Sequence, residues 1–104
     1  MTRIVSVYAV FADAGEAQRI ARATVEEQLA ACANVLGPCR SIYRWQGAVE
    51  EADEVAAIFK ARADKAEALT ARIAALHSYD VPAIAVWPIE TAWPAYAAWV
   101  EAEG

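Results

Sequence analysis

The side chains with chemical options are few and widely spaced. His77 is the sole histidine of the 104-residue chain, so any imidazole chemistry, proton transfer or metal ligation, must pass through it. It suits a helix C-terminus equally well, bonded to a carbonyl. Asp80 follows closely and can supply an oxygen ligand, although an Asp ahead of Val81-Pro82 is also a turn-former. Cys32 falls at a helix-to-strand joint, where a free cysteine behaves as a small buried hydrophobe. Cys39 is the better soft donor for copper(I) if exposed. His77, Cys39, Cys32 and Asp80 are therefore the candidate metal ligands. Lys60 and Arg62 share one face of a strand and, with Arg44 opposite, would line an anion-binding cleft between subunits; pairing with the many carboxylates is the competing use. No nucleophile–base pair, glycine-rich phosphate loop or HExxH string occurs. The expectation is a binding protein and not an enzyme.

The elements that position these residues centre on Gln28–Arg62. Two arms, Ala33–Trp45 and Glu54–Arg62, are rich in β-branched and aromatic residues and alternate with period two. Ile42 and Arg44 fall on one face, Tyr43 and Trp45 on the other. A polar turn, Gln46-Gly47-Ala48, joins them, with the acidic run Glu50, Glu51, Asp53 and Glu54 behind it. A ribbon this long outreaches what a small domain can cover, and its apolar residues invite aggregation unless another copy of the chain meets it. Tyr43, Trp45, Ile42 and Ile58 are the expected interface residues. Gly37-Pro38 predicts a bulge or bend near the start of the first arm. Cys32 and Cys39, seven positions apart on an extended segment, would be separated by over ~20 Å at about 3.3 Å per residue, too far for a disulfide. Two free thiols suit a reducing compartment.

The flanking segments complete one domain over residues 1–104. Arg3–Phe11 is a nearly continuous apolar run, hence a central strand buried on both faces. Arg3 followed by Ile4–Ala12 imitates a short signal peptide, but the strand reading is preferred and the protein is expected to be cytoplasmic. Asp13 to Glu16 forms a capping box that opens a helix with Ala17, Ile20, Ala21, Thr24, Val25 and Leu29 inward. Asp64 to Glu67 repeats the box before a helix with Leu69, Ile73 and Leu76 inward. Pro82 ends the connector from His77. Ala83–Ile89 is a fourth strand, with Pro88 marking an edge or an end. Thr91–Glu101 closes the chain as a helix with Pro94 near its first turn and Ala95, Trp99 and Tyr96 inward. Strand–helix–strand twice over gives an α+β, ferredoxin-like βαββαβ sandwich with both main helices on one sheet face. The other face lacks a helical cover, a second reason to expect self-association.

Composition narrows the partners. The formal charge of −5 opposes nucleic acid, whose phosphates need a basic face, and suits cations or a basic partner where it is more than a solubility device. No run approaches the ~20 apolar residues of a membrane helix. Four Trp and four Tyr in so short a chain must fill a core or an interface.

At this point the residues carry a resemblance. Leu29-Ala30-Ala31-Cys32-Ala33-Asn34, Ser41-Ile42-Tyr43-Arg44-Trp45-Gln46-Gly47, Glu54-Val55 through Lys60, and His77-Ser78-Tyr79-Asp80-Val81-Pro82 resemble, in order, the signatures of the CutA family of divalent-cation tolerance proteins. Tyr96 and Trp99 fit as well. The resemblance implies a ferredoxin-like subunit assembled as a homotrimer through the ribbon, a link to copper and other divalent metals, and kinship in shape with trimeric PII signalling proteins. No cofactor is required; copper or another divalent metal is the ligand implied. There are departures. Where the family usually has Glu-Ile after the Val-Pro pair, this chain has Ala83-Ile84. Ala9 stands where some members carry a copper-linked cysteine, and Ala61 follows the lysine in place of threonine. A PII-like module that binds a small anion or nucleotide in the intersubunit cleft is the alternative reading.

Overall fold

The computed structural model of the chain describes residues 2–104. Its elements are β1 (Ile4–Phe11), α1 (Ala14–Glu26), β2 (Cys32–Trp45), β3 (Ala48–Arg62), a 3-10 turn (Ala63–Lys65), α2 (Ala66–Leu76), β4 (Ile84–Pro88) and α3 (Pro94–Glu103). One antiparallel sheet has the order β2-β3-β1-β4. The expected ferredoxin-like α+β arrangement is present, with the apolar run β1 near its centre and Pro88 ending an edge strand.

Strand alternation sorts the core. Val5, Val7, Ala9 and Phe11 of β1 and Val55, Ala57, Phe59 and Ala61 of β3 pack with Ala17 and Ile20 of α1 and Leu69 and Ile73 of α2. Phe11 and Phe59 meet as tilted rings 6.3 Å apart. Each such large side chain, once buried, contributes about 1.5–3 kcal/mol. The opposite face is only partly covered. At one end α3 seals Ile4 and Ala31 under Val100, and further along Tyr8 stacks on Trp87 with centroids 5.3 Å apart.

Local chemistry fixes the ends of α1. Asp13 Oδ1 accepts the Glu16 N–H at 2.8 Å, as its capping position requires. At the other end Gln28 takes φ 59°, and the Gln28 and Leu29 amides donate to Val25 and Thr24 carbonyls. This left-handed cap satisfies carbonyls the last turn leaves open. Leu29 thus lies beyond the helix yet still packs on the core. Arg72 of α2 grips Glu27 through both carboxylate oxygens at 2.9 and 3.0 Å.

Four expectations need correcting. The second capping box is not formed: Asp64 instead takes the Arg62 guanidinium at 2.9 and 2.7 Å, and α2 starts one residue later than that box implies, after a 3-10 turn. The hydrogen bonds from Arg62, with its charge and that of Lys65, hold the Asp64 carboxyl below its usual range. In α3, Ala95 and Trp99 are exposed, while Val100 is buried and Tyr96 half-buried. The helix starts at Pro94, which has no N–H to lose at a first-turn position. The acidic run follows the ribbon turn as expected but belongs to β3, which begins at Ala48 and not at Glu54. Ala48 accordingly belongs to that strand and pairs with Trp45. The turn is only Gln46-Gly47, both with positive φ (50° and 85°), which is the two-residue geometry that matches strand twist.

Candidate functional site

The ribbon's register decides what faces what. The bulge expected at Gly37-Pro38 lies between Val35 and Gly37, with Gly37 at φ 100°, where only glycine is unstrained. Leu36 is the extra residue and stands exposed. One inserted residue reverses the facing of all that follows. Beyond it Cys39, Ser41, Tyr43 and Trp45 pair with Glu54, Ala52, Glu50 and Ala48, on the sheet face turned away from α1 and α2. Ile42, Arg44 and Val49 point the other way.

Together with the α2–β4 connector this face encloses an open cavity of about 560 Å³. Its aromatic walls are Tyr43, Trp45 and Tyr79, its carboxylates Glu50, Glu54 and Asp80, and Val10, Ser41, Val81 and Ala83 complete the lining. The small pair Ser41 and Ala52 leaves the space between the Tyr43–Glu50 row and Glu54. Among the described residues, none that lines the cavity is basic.

The connector is braced from beneath by two side chains. Buried Glu16 accepts the Ala12 N–H through Oε1 at 3.1 Å and the Ser78 N–H through Oε2 at 3.0 Å. Burial pushes its carboxyl up, but the bonds from Ser78 and Ala12, with the nearby His77, outweigh that and leave it below the usual value of 4.5. His77 is buried and lies flat on Phe11, 5.0 Å between centroids. Its Nδ1 accepts the Tyr79 N–H at 3.1 Å. The proton therefore sits on Nε2, which donates to the Val10 carbonyl at 2.7 Å. Neither ring nitrogen is left with a free lone pair in this arrangement. Tyr79 then reaches across the cavity to donate to Glu54 Oε2 at 2.8 Å. Burial and this bond push the Tyr79 hydroxyl up to about 12.

A depressed carboxylate stabilises the fold above its unfolded value and stops doing so as pH falls through its folded one. The Glu16 contribution is thus complete above about pH 4.5 and is lost on acidification below it. We expect Glu16→Gln to cost about 1–3 kcal/mol at neutral pH, because the amide NH₂ would face one of two N–H donors. The difference between variant and parent should shrink through the acid limb of a thermal-melt pH series; a constant difference would refute this role.

The metal candidates divide between two places. Asp80 is exposed on the cavity rim with His77 beneath it, and Cys39 is half-buried beside Glu54, its Sγ 4.0 Å from Ser41 Oγ. Cys32 lies far off beside α3, its Sγ 3.5 Å from the Tyr96 hydroxyl. Burial and Cys32 push Tyr96 up to about 12. Both cysteines are free. Among the described residues no three of His, Cys, Asp and Glu converge within one chain. The basic trio is dispersed too. Lys60 pairs with Cys32 and Ser6, Arg62 is held by Asp64, and Arg44 sits at the ribbon tip donating to the Gly47 carbonyl. From Arg44's partner Val49 to Lys60 the strand runs on the order of 35 Å. Of the expected interface residues, Ile42 is exposed on the outer ribbon face, Ile58 is half-buried on the uncovered sheet face, and Tyr43 and Trp45 line the cavity. Glu50, Glu54, Tyr79 and Glu16 were not expected as site residues. The signal for the first two was their alternate spacing on a strand that begins earlier than Glu54.

The comparisons with known proteins agree with one another. Residues 5–103 match the family model described as CutA1 divalent ion tolerance protein. Over 81 residues the chain is 46% identical to the divalent-cation tolerance protein CutA of Pyrococcus horikoshii, covering 78% of each. It is 44% identical over 84 residues to a Protein CutA homolog of Xenopus laevis, covering 81% of this chain. The chain spans about half the length of such vertebrate relatives, 56% for Xenopus laevis and 48% for the Mus musculus Protein CutA. Among solved structures, CutA of Xylella fastidiosa superposes with a TM-score of 0.95 at 31% identity, covering 98% of both chains. A divalent cation tolerance protein of Thermus thermophilus gives 0.93 at 37%, covering 96% of this chain and 97% of that one.

Proposed function

Because the chain belongs to the CutA1 divalent ion tolerance family, we propose that it works as a cytoplasmic homotrimer that binds divalent cations weakly in the acidic cleft and catalyses no reaction. The observation that carries this reading is the cavity's charge: Glu50, Glu54 and Asp80 around one space, and no basic side chain among its described lining residues. Such a wall favours a cation and disfavours the small anion or nucleotide of a PII-like module, for which Lys60, Arg62 and Arg44 lie too far apart within one chain. Oxygen donors suit hard or borderline divalent ions, and Cys39 beside Glu54 adds a soft donor that would favour copper. The described residues of a single chain supply too few convergent donors for a closed metal site, so weak binding completed by water or by a neighbouring copy is the consistent form. His77 serves here as the brace of the connector, with the carboxylates in contact with the ion.

Self-association has separate support. β2 is a long edge strand with one side unpaired, and the ribbon carries exposed Leu36, Ile42 and Val49. The ribbon also stretches the molecule to 44 Å along its longest axis. Its radius of gyration is 14.1 Å, where a compact domain of this length has about 13 Å. A neighbour's sheet is the natural cover for such an edge.

Calorimetric titration with copper(II) and zinc tests the reading. The double variant Glu50→Gln/Glu54→Gln should weaken binding by about tenfold or more, equivalent to roughly 1.4 kcal/mol, while Lys60→Ala leaves it unchanged. Metal binding indifferent to the carboxylates, with nucleotide binding lost in Lys60→Ala, would instead establish the anion-binding module.

A further inference from the structure

The cleft holds more than carboxylates. Three aromatic rings, Tyr43, Trp45 and Tyr79, stand around the same space, each partly open to it and, in the single chain, to solvent. We propose that this cleft binds a small organic ammonium ion, its methylated head held against the ring faces and its charge balanced by Glu50 and Glu54. The proposal shares the site of the preceding reading and rests on the cleft being a cation site, but not on the ion being a metal.

Size and chemistry separate the two kinds of cation. A divalent metal needs several donor atoms converging at ~2.0–2.6 Å, and among the described residues no three candidate ligands converge. A cavity of about 560 Å³ is far larger than a bare ion and falls in the range of ~300–1,000 Å³ typical of small-molecule sites. An alkylated ammonium has diffuse charge and an apolar surface, so it can be held by ring faces within about 6 Å and by carboxylates at a distance. The walls meet that description. The Tyr43–Glu50 pair spans the ribbon, Trp45 extends it, and Tyr79 is held in place by its hydroxyl bond to Glu54 and its amide bond to His77. Val10, Val81 and Ala83 supply an apolar lining that would tolerate methyl groups. Ser41 and Ala52 leave the room.

The test uses tetramethylammonium as the probe and tert-butanol as an uncharged molecule of similar shape, followed by NMR amide and indole shifts on the assembled protein at low ionic strength. Tetramethylammonium should shift the Tyr43, Trp45 and Tyr79 signals saturably, and tert-butanol should bind at least about tenfold more weakly. Trp45→Ala removes one of these rings, and its mass and melting temperature are read alongside because Trp45 is also an expected interface residue. The variant should lose about tenfold in tetramethylammonium affinity and leave the zinc titration unaltered. Glu54→Gln should weaken both ligands. Equal binding of the charged and neutral probes, or tetramethylammonium binding indifferent to Trp45→Ala, would overturn the ammonium site. If zinc binds through the carboxylates and tetramethylammonium shifts nothing, only this proposal fails. If neither ligand perturbs the cleft, the preceding reading fails with it.

Discussion

Placing charge on the outer ribbon face, in the double variant Ile42→Asp/Val49→Asp, should convert the proposed trimer into monomers. Both side chains are well exposed on the isolated chain, 68% and 63%, so the cost within one subunit is limited to a poorer strand residue at each position and an Asp opposite Glu51, about 1 kcal/mol or less per site. Arg40 already bridges Glu51 and Asp53 on that face, and such exposed pairs are each worth only about 0–1 kcal/mol. Covered by a neighbour, however, each new carboxylate is a buried charge without a partner, a cost of several kcal/mol per site. Since association stabilises the folded state by mass action, the melting temperature should fall by roughly 10 °C or more and lose its dependence on protein concentration. Light scattering reads the mass directly. A variant that keeps the parent's mass and melting temperature would place the interface elsewhere.

His77→Ala should be the most damaging single substitution in the site. It removes a ring stacked on Phe11 and in tilted contact with Tyr79, strips the Val10 carbonyl of its donor and leaves the Tyr79 amide without its acceptor. Cavity and lost bonds together should cost about 2–4 kcal/mol, or on the order of 10–20 °C in melting temperature for a chain of this size. The Tyr79 amide should exchange with solvent much faster, because the connector loses its anchor. A residue that served only as a metal ligand would give the reverse pattern, with metal affinity lost and the metal-free melting temperature unchanged. His77→Gln, which can still donate to Val10, should recover part of the stability.

Most of the fold can be read from residue pattern alone. β1 announces itself as an apolar run, α1 by Asp13 and Glu16, and the ribbon by period-two alternation and its bulge by Gly37-Pro38. The misreadings have physical causes. Gln46 occupies a positive-φ turn position where Asn, Asp or Gly is usual, which hid how short the turn is and how early β3 begins. That in turn disguised Glu50 and Glu54, on alternate positions of a strand, as part of a loop's acidic run. Asp64 had two uses open to it, a helix cap or an ion pair with Arg62, and local sequence does not rank them. In α3 the run Pro94 to Val100 has no polar residue except Tyr96, so helical periodicity could not tell Trp99 from Val100. The brace joining Glu16 to Ser78 spans 62 positions; only the folded chain brings those groups together. The site was half legible for the same reason: Asp80 and Tyr43 could be named from motifs, but their meeting with Glu54 and Tyr79 depends on a one-residue bulge at Gly37.

The most direct measurement is native mass spectrometry of the reduced, untagged protein, first metal-free and then with stoichiometric zinc or copper. The expected species is three times the chain mass of 11.2 kDa, taking up added metal in steps of up to one ion per subunit. A folded species at 11.2 kDa, with the native melting profile and no metal uptake, would contradict both the ribbon-built assembly and the acidic cation cleft.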